Sequence, residues 1–475
     1  MSTITIDPVT RLEGHLKVVL QLSHSKEVTS AAITGNLFRN FENILTGRDP
    51  RDAIYFTQRI CGLCPVDHAI AAAKTIENSV SFVPNTQARL IRNLIQGANF
   101  LSNHILHFYH LALMDYAAGP QMPPWTPGYS QDYRLSSSAT TTLQTNYVEA
   151  LKIRRQCQEM GAILSGKMPH SASIVAGGVT VIPTSSDINN FKSYLTSIKT
   201  FIDNTYLADV NTIAEAYKDY FHIGKGYGNL LTYGVFDTDD NGTTYFVRGR
   251  CTDGCYLPVD TAQIVENTAY SWYDDADLNP GSGTTTPDPS KTGAYSWLKA
   301  PRYAGIAHEV GPLARMWMNN AYRNGISVMD RHKARVLEAQ LIAGQMESWI
   351  NGVLADASGY TQISMPTSGT GAGFTEAPRG ALGHWLGFCS SLTTRYQIVT
   401  PTCWNASPKD DNGKFGPIEQ ALVGVKVADT TQPVEVMRVI HSFDPCTGCS
   451  VHVLSPEQEI LKEFVISPFG ARILI

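Results

Sequence analysis

Apolar residues recur with a helical period between Thr86 and Asp115, where Leu90, Ile91, Leu94, Ile95, Ala98, Leu101, Ile105, Phe108, Tyr109 and Ala112 share one broad face. The spacing predicts a helix of about 30 residues, long enough to be a core element. The same period runs from about Tyr147 to Leu164 and stops at Gly166, with Pro169 just beyond, the usual punctuation of a helix end. Asp187 is placed to cap a helix whose inner face carries Ile188, Phe191, Leu195, Ile198, Ile202 and Tyr206, and another helix is expected over about His332 to Leu354. Alternating patterns predict strands at Thr3 to Ile6, His15 to Leu22 and Val28 to Ile33. Leu230 to Asp237 and Thr243 to Arg248 flank Asp240, Asn241 and Gly242, a hairpin signal, and Asn279 to Gly293 is composed like a surface loop. The expected fold class is mainly α with small antiparallel β-sheets at the margins (α+β), built on a long-helix core.

Composition changes this picture in one respect. Only 17% of the 475 residues are charged, below the roughly 25% usual for soluble chains, which implies that much surface is hidden against itself or a partner. Lys plus Arg is 37 and Asp plus Glu is 42, a net charge of −5, which excludes a nucleic-acid-binding field. No apolar run is long enough to span a membrane, and the start, MSTITIDPVTRLEG, has neither a basic nor an apolar signal region.

Chemistry is concentrated in the cysteines. Four of the nine form two CxxC pairs: Cys61 and Cys64 in RICGLCPVDH, and Cys446 and Cys449 in FDPCTGCSVH. Thiolates three apart can converge on one metal, and each pair is half of a four-sulfur site. Closing the long loop between the pairs costs only about 2.7 kcal/mol more than closing an 18-residue one. A metal can supply on the order of 10 kcal/mol, so a shared site is allowed. From spacing alone the pairs read as a structural zinc site, with thioredoxin-like redox chemistry and two unrelated pairs as the other readings. Thiolates also suit nickel and iron. His104, His107 and His110 lie at i, i+3 and i+6 and fan around the helix, which favours separate core and surface roles. Cys251 and Cys255 read as free thiols, with a local disulfide or metal clip as the alternative. Cys157, Cys389 and Cys403 read as buried or incidental thiols.

Both pairs and their neighbours resemble the large subunit of nickel-iron hydrogenases. The resemblance extends to DPVTRLEGH, LFRNFENILTGRDPRDA, HILHFYHLALMDY, SGKMPH, KAPRY, EVGPLARMW, GFTEAPRGALGHW and YQIVTPTCWNASPKDD, which run in the family's order from residue 7 to residue 452. It is greatest toward the selenium-containing subclass, where selenocysteine takes the position of Cys446. Asn40 departs from the family's glycine, and Leu12 from its Ile or Val.

This resemblance implies the hydrogenase large-subunit fold over 1–452 and a C-terminal maturation peptide over 453–475, removed by an endopeptidase once nickel-insertion factors have acted. It implies reversible oxidation of dihydrogen to protons and electrons. Cys61 and Cys446 would be terminal nickel ligands, and Cys64 and Cys449 would bridge nickel to an iron carrying cyanide and carbon monoxide. Heterolysis needs a base, for which Cys446 and Arg379 are the candidates, with Asp115 and Asp444 as the family's acidic partners of that arginine. Glu13 would be the proton gate, its alternative being a salt bridge to Arg11 or Arg59. Pro378, Arg379, Leu382 and Thr402 would surround the diatomic ligands, Thr402 also reading as a turn residue. His68 would hydrogen-bond a bridging sulfur. Glu42, His452 and the Ile398 carbonyl match a magnesium-type site. Electrons would leave through an iron-sulfur small subunit, because no other cysteine cluster is available to hold iron-sulfur centres. That partner would also determine a periplasmic or membrane-associated location, with a cytoplasmic one as the alternative. The competing functions are a hydrogen sensor, which usually lacks the tail, and a hydrogenase-derived respiratory-complex subunit without turnover.

Overall fold

The computed structural model describes residues 2–275, 279–450, 464–466 and 472–474, with side chains as far as residue 448. Its centre is the helix Thr86–Ile105, buried on nearly every side. Asn85 caps it by accepting from the Ala88 amide at 2.9 Å. The expected 30-residue α-helix is not uniform: the path widens into a π-helix over Leu106–Ala112 and closes with a 3₁₀ turn at Leu113–Asp115. Such a widening shifts the facing of everything beyond it, which a constant period cannot anticipate.

Three helices pack on this axis: Pro65–Ser79, Ser137–Ser165 and Val328–Gly352. The second starts well before Tyr147, because Ser136 accepts from the Ala139 amide and nucleates a polar, exposed first half with no apolar stripe. It ends at Gly166, whose φ of +78° suits glycine. The third is entered through a capping box between Ser327 and Asp330. In the helix Ser185–Phe201 the cap is Thr184 and not Asp187. Asp187 instead closes the box by accepting from the Thr184 amide at 2.9 Å.

The N-terminal strands Ser2–Ile6, Leu16–Leu22 and Val28–Gly35 form the expected antiparallel meander. The hairpin pairs Val235–Asp237 with Thr244–Phe246, but Leu230–Thr232 breaks away at Gly234 (φ +81°) to pair with Gly249–Thr252. Another sheet, Gly369–Ala377, Gly380–Cys389 and Leu392–Val399, is interior and not marginal. Its middle strand is buried on both faces, so it shows no alternation in the sequence. Gly371 and Gly373 let the helix Pro65–Ser79 rest on the first strand: a Cβ on Gly373 would overlap the Ala71 carbonyl and the Thr75 amide.

Candidate metal centre

Cys61 follows the 3₁₀ turn Gln58–Ile60 in extended backbone, and Cys64 immediately precedes the helix opened by Pro65. The Leu63 amide donates to Cys61 Sγ at 3.2 Å, so the tight turn supplies an N–H to the sulfur. Cys446 enters from the far end of the chain. The helix Val434–Ser442 stops, Asp444 takes a left-handed φ of +56°, and the Cys446 amide donates to Thr402 Oγ1 at 3.0 Å. The Sγ atoms of Cys61 and Cys446 lie 3.3 Å apart, and those of Cys61, Cys64 and Cys446 all fall within 4.8 Å of one another in a buried setting. The side chain of Cys449 lies outside the described residues, as do His452 and, apart from the paired strands Phe464–Ile466 and Arg472–Leu474, the expected maturation peptide.

Glu13 adjoins Cys446 through a parallel bridge, with the Thr447 amide donating to its carbonyl at 2.8 Å. Its Oε2 accepts from Cys446 Sγ at 3.1 Å and from the Gly448 amide at 2.7 Å. Burial, reinforced by Cys61, pushes its pKa above the usual carboxylate range, the direction required of a proton carrier. Neither arginine considered for Glu13 pairs with it: Arg11 binds Asp115, and Arg59 lies over the Tyr55 ring.

Arg379 stands in the turn between the first two strands of the interior sheet, beside Pro378 and three residues before fully buried Leu382. Its Nη2 is 3.1 Å from Asp444 Oδ1, an ion pair whose angle falls short of a hydrogen bond, and its Nε has no hydrogen-bond partner among the described residues. Burial works against its charge, but Asp444 and then the sulfurs of Cys446, Cys64 and Cys61 outweigh it and hold the guanidinium protonated. Asp115 corrects an expectation. It does not meet Arg379; it is held by Arg11, by His441 Nδ1 at 2.5 Å and by the Tyr129 hydroxyl at 3.2 Å. The side chain that does meet Arg379 is Asn103, whose Oδ1 accepts from Nη1 at 3.0 Å while its amide group donates to the Leu63 carbonyl. Polar residues on a helix with no exposed face, such as Asn99 and Asn103, were the available sign in the sequence.

His68 turns Nδ1 to His384 Nε2 at 3.1 Å, and His384 continues to the Tyr396 hydroxyl at 2.8 Å. Burial pushes the His68 pKa down to about 4, so the ring is neutral near pH 7. His104, His107 and His110 part company, to Glu338, the His441 carbonyl and the Tyr147 carbonyl respectively. Cys251 and Cys255 are free, and the hairpin register sends the first inward and the second to solvent.

Glu42 and Ile398 are brought together, with Glu42 Oε1 accepting from the Ile398 amide at 2.8 Å and Oε2 from Thr285. Beside them lies a buried group that sequence reading missed, in which Lys299 Nζ is 3.2 Å from Glu266 Oε2 and 3.2 Å from Gln397 Oε1. Burial lifts the Glu266 pKa to about 7 against the pull of Lys299, with Glu42 adding to the rise. Asn40, where the family has glycine, adopts φ +60°, a left-handed conformation that asparagine tolerates better than most residues.

A family model described as nickel-dependent hydrogenase matches residues 39–120, 117–326 and 318–452, and a HoxL-like model matches residues 3–34. The chain is 40% identical to the periplasmic [NiFeSe] hydrogenase large subunit of Desulfomicrobium baculatum, over 96% of this chain and 95% of that one. It is 33% identical to the hydrogenase-1 large chain of Escherichia coli, over 96% and 95% of the two chains. The solved Ni-Fe-Se hydrogenase of D. vulgaris Hildenborough in the reduced state superposes with a TM-score of 0.92 at 40% identity, covering 95% of this chain and all of the other.

Proposed function

The chain belongs to the nickel-dependent hydrogenase large-subunit family, and from that membership we propose that Cys61, Cys64, Cys446 and Cys449 hold a nickel-iron centre that turns over dihydrogen. The observation that carries this reading is the convergence of three buried sulfurs with Glu13 and charged Arg379 around one point. The donor set fits: soft thiolates suit nickel and iron, and the unpartnered Arg379 Nε–H is available to a small acceptor such as iron-bound cyanide. When bound, such a centre, its iron carrying cyanide and carbon monoxide, supplies the reversible heterolytic cleavage of dihydrogen to protons and electrons.

The chain's own residues then divide the remaining work. Cys446 Sγ and Glu13 Oε2, 3.1 Å apart, exchange the proton, and burial raises the Glu13 pKa, which favours its accepting that proton. Arg379 remains a cation and orients small acceptors; as a base it would have to lose a proton that Asp444 and the sulfurs stabilise. Thr402 holds the Cys446 backbone, and Leu382 offers an apolar wall. Glu42, the Ile398 carbonyl and His452 would hold a magnesium-type cation, with Glu266 and Gln397 as nearby oxygen donors. Electrons would leave through an iron-sulfur small subunit, a partner implied by the large-subunit and large-chain names of the relatives. None of the described helices is long and apolar enough to cross a membrane. A periplasmic location, carried by the partner, follows the name of the Desulfomicrobium relative. Retention of the cysteines and of the tail favours turnover over a sensor or an inactive respiratory-complex subunit.

Metal analysis of the purified heterodimer tests the reading. About one nickel per chain is expected, with infrared bands from iron-bound cyanide and carbon monoxide. Zinc alone, without those bands, would overturn it.

A further inference from the structure

The motif Glu309–Arg315, EVGPLAR, contains no cysteine, yet it contacts the Arg379 backbone and, through Arg331, the residues just before Asp444. Arg315 is fully buried and spreads its fork over two carboxylates and two carbonyls. Nε and Nη2 bind Glu338 at 2.6 and 2.8 Å, Nη1 binds Glu376 at 2.7 Å and the Ala377 carbonyl at 3.0 Å, and Nη2 also reaches the Pro378 carbonyl at 2.9 Å. The backbone leading into Arg379 is thereby pinned to the helix Val328–Gly352, which carries Glu338. From the other side, Gly311 lies so close that a Cβ there would stand 2.8 Å from the Arg379 carbonyl oxygen, and its φ of +123° suits only glycine. At the start of the motif, Glu309 binds Arg331 through both oxygens at 2.7 and 2.9 Å. The Arg331 guanidinium lies 3.6 Å above the Phe443 ring and reaches Ser442 Oγ at 3.4 Å, next to Asp444 in the chain.

We propose that Glu309–Arg315 is a positioning clamp, with Arg315 and Gly311 fixing Arg379, and Glu309 fixing Asp444 through Arg331. Asp444 has a left-handed backbone and Arg379 lies in a turn, so neither is held by its own secondary structure. A lysine at 315 would keep the charge but offer a point donor where a planar fork spans four acceptors.

The inference rests on the functional reading above, and the test separates the two. Arg315→Lys, Glu309→Gln and Gly311→Ala are made in the heterodimer and compared with the parent for metal content, kcat, KM for dihydrogen, infrared bands and crystal structure. A metal-free parent sinks the functional reading; the clamp is then still judged by whether the 3.1 Å Arg379–Asp444 separation widens in the variant crystals. In a metal-loaded parent, each variant is expected to keep its metals and to lose roughly 10–100-fold in kcat, the usual cost of losing an orienting group. KM should stay within about twofold and the cyanide bands should shift. Loaded variants with parental kcat and unmoved bands overturn the clamp. A kcat loss with unmoved bands and an unchanged pair assigns the motif to stability alone and also overturns it, as does failure of all three variants to load metal.

Discussion

At the scale of single residues, the proposed chemistry depends on how Glu13 is held. A Cβ on Gly448 would overlap the Glu13 carboxylate, so any side chain there would displace it. Glu13→Gln keeps the shape but cannot carry a proton; it should abolish hydrogen oxidation while hydrogen-deuterium exchange at the centre stays measurable. Oxidation persisting at a near-parental rate would contradict the gate. Gly448→Ala should lower oxidation by roughly 10–100-fold with nickel retained, by displacing the same carboxylate. Another residue sets a pH response. His308 is buried between Thr252 Oγ1 and the Ile306 carbonyl, and burial, aided by Arg250 and Arg302, depresses its pKa from 6.5 to about 4. The unfolded chain binds a proton there before the folded one does, so the stabilisation is complete above pH 6.5 and is lost as the pH falls toward 4. The loss amounts to about 3 kcal/mol. Denaturation series on parent and His308→Gln should therefore converge as the pH is lowered through that window; a gap independent of pH would refute the assignment.

At the scale of elements, the sequence predicts helices well where an apolar stripe exists and poorly where burial is total or absent. The exposed first half of Ser137–Ser165 has no stripe, and the interior sheet has no alternation because both faces are covered. The π-turn over Leu106–Ala112 keeps apolar side chains inward while changing their facing, and so it cannot be seen as a break in the pattern. Glycines in the strand Gly369–Ala377 mark where the helix Pro65–Ser79, which begins right after Cys64, comes to rest. Gly373→Val should destabilise the fold by about 1–3 kcal/mol, the usual cost of overpacking. Because the displaced helix begins right after the first cysteine pair, nickel content should fall with it. Urea unfolding and metal analysis on one preparation check both, and full stability with full nickel would show that the contact is slack.

At the scale of the molecule, the two ends of the chain meet. Glu13 pairs with Cys446, and a buried apolar cluster runs from Ile4 to Cys446 through most of the elements between. Removal of the tail, which the family resemblance implies, would bear directly on that junction. Mass spectrometry of active enzyme should find the chain ending at His452; fully active enzyme with an intact tail would contradict removal. The low charge noted in the sequence accords with a partner, and the family's division into large and small subunits supplies one.

The sequence by itself determined the family, the two cysteine pairs as motifs and most long helices, because motifs and periodicity are local and survive in one dimension. It also pointed to Glu13, which lies beside Cys446, and to Glu42, which accepts from the Ile398 amide. Only the tertiary structure decided which charges meet. Asp115 goes to Arg11 and His441, Asn103 takes the place beside Arg379, and Glu309 and Arg315 reach the centre only through Arg331 and the 376–378 backbone. An ion pair depends on distance in space and on the burial of both partners, and neither is encoded in the spacing of residues along the chain.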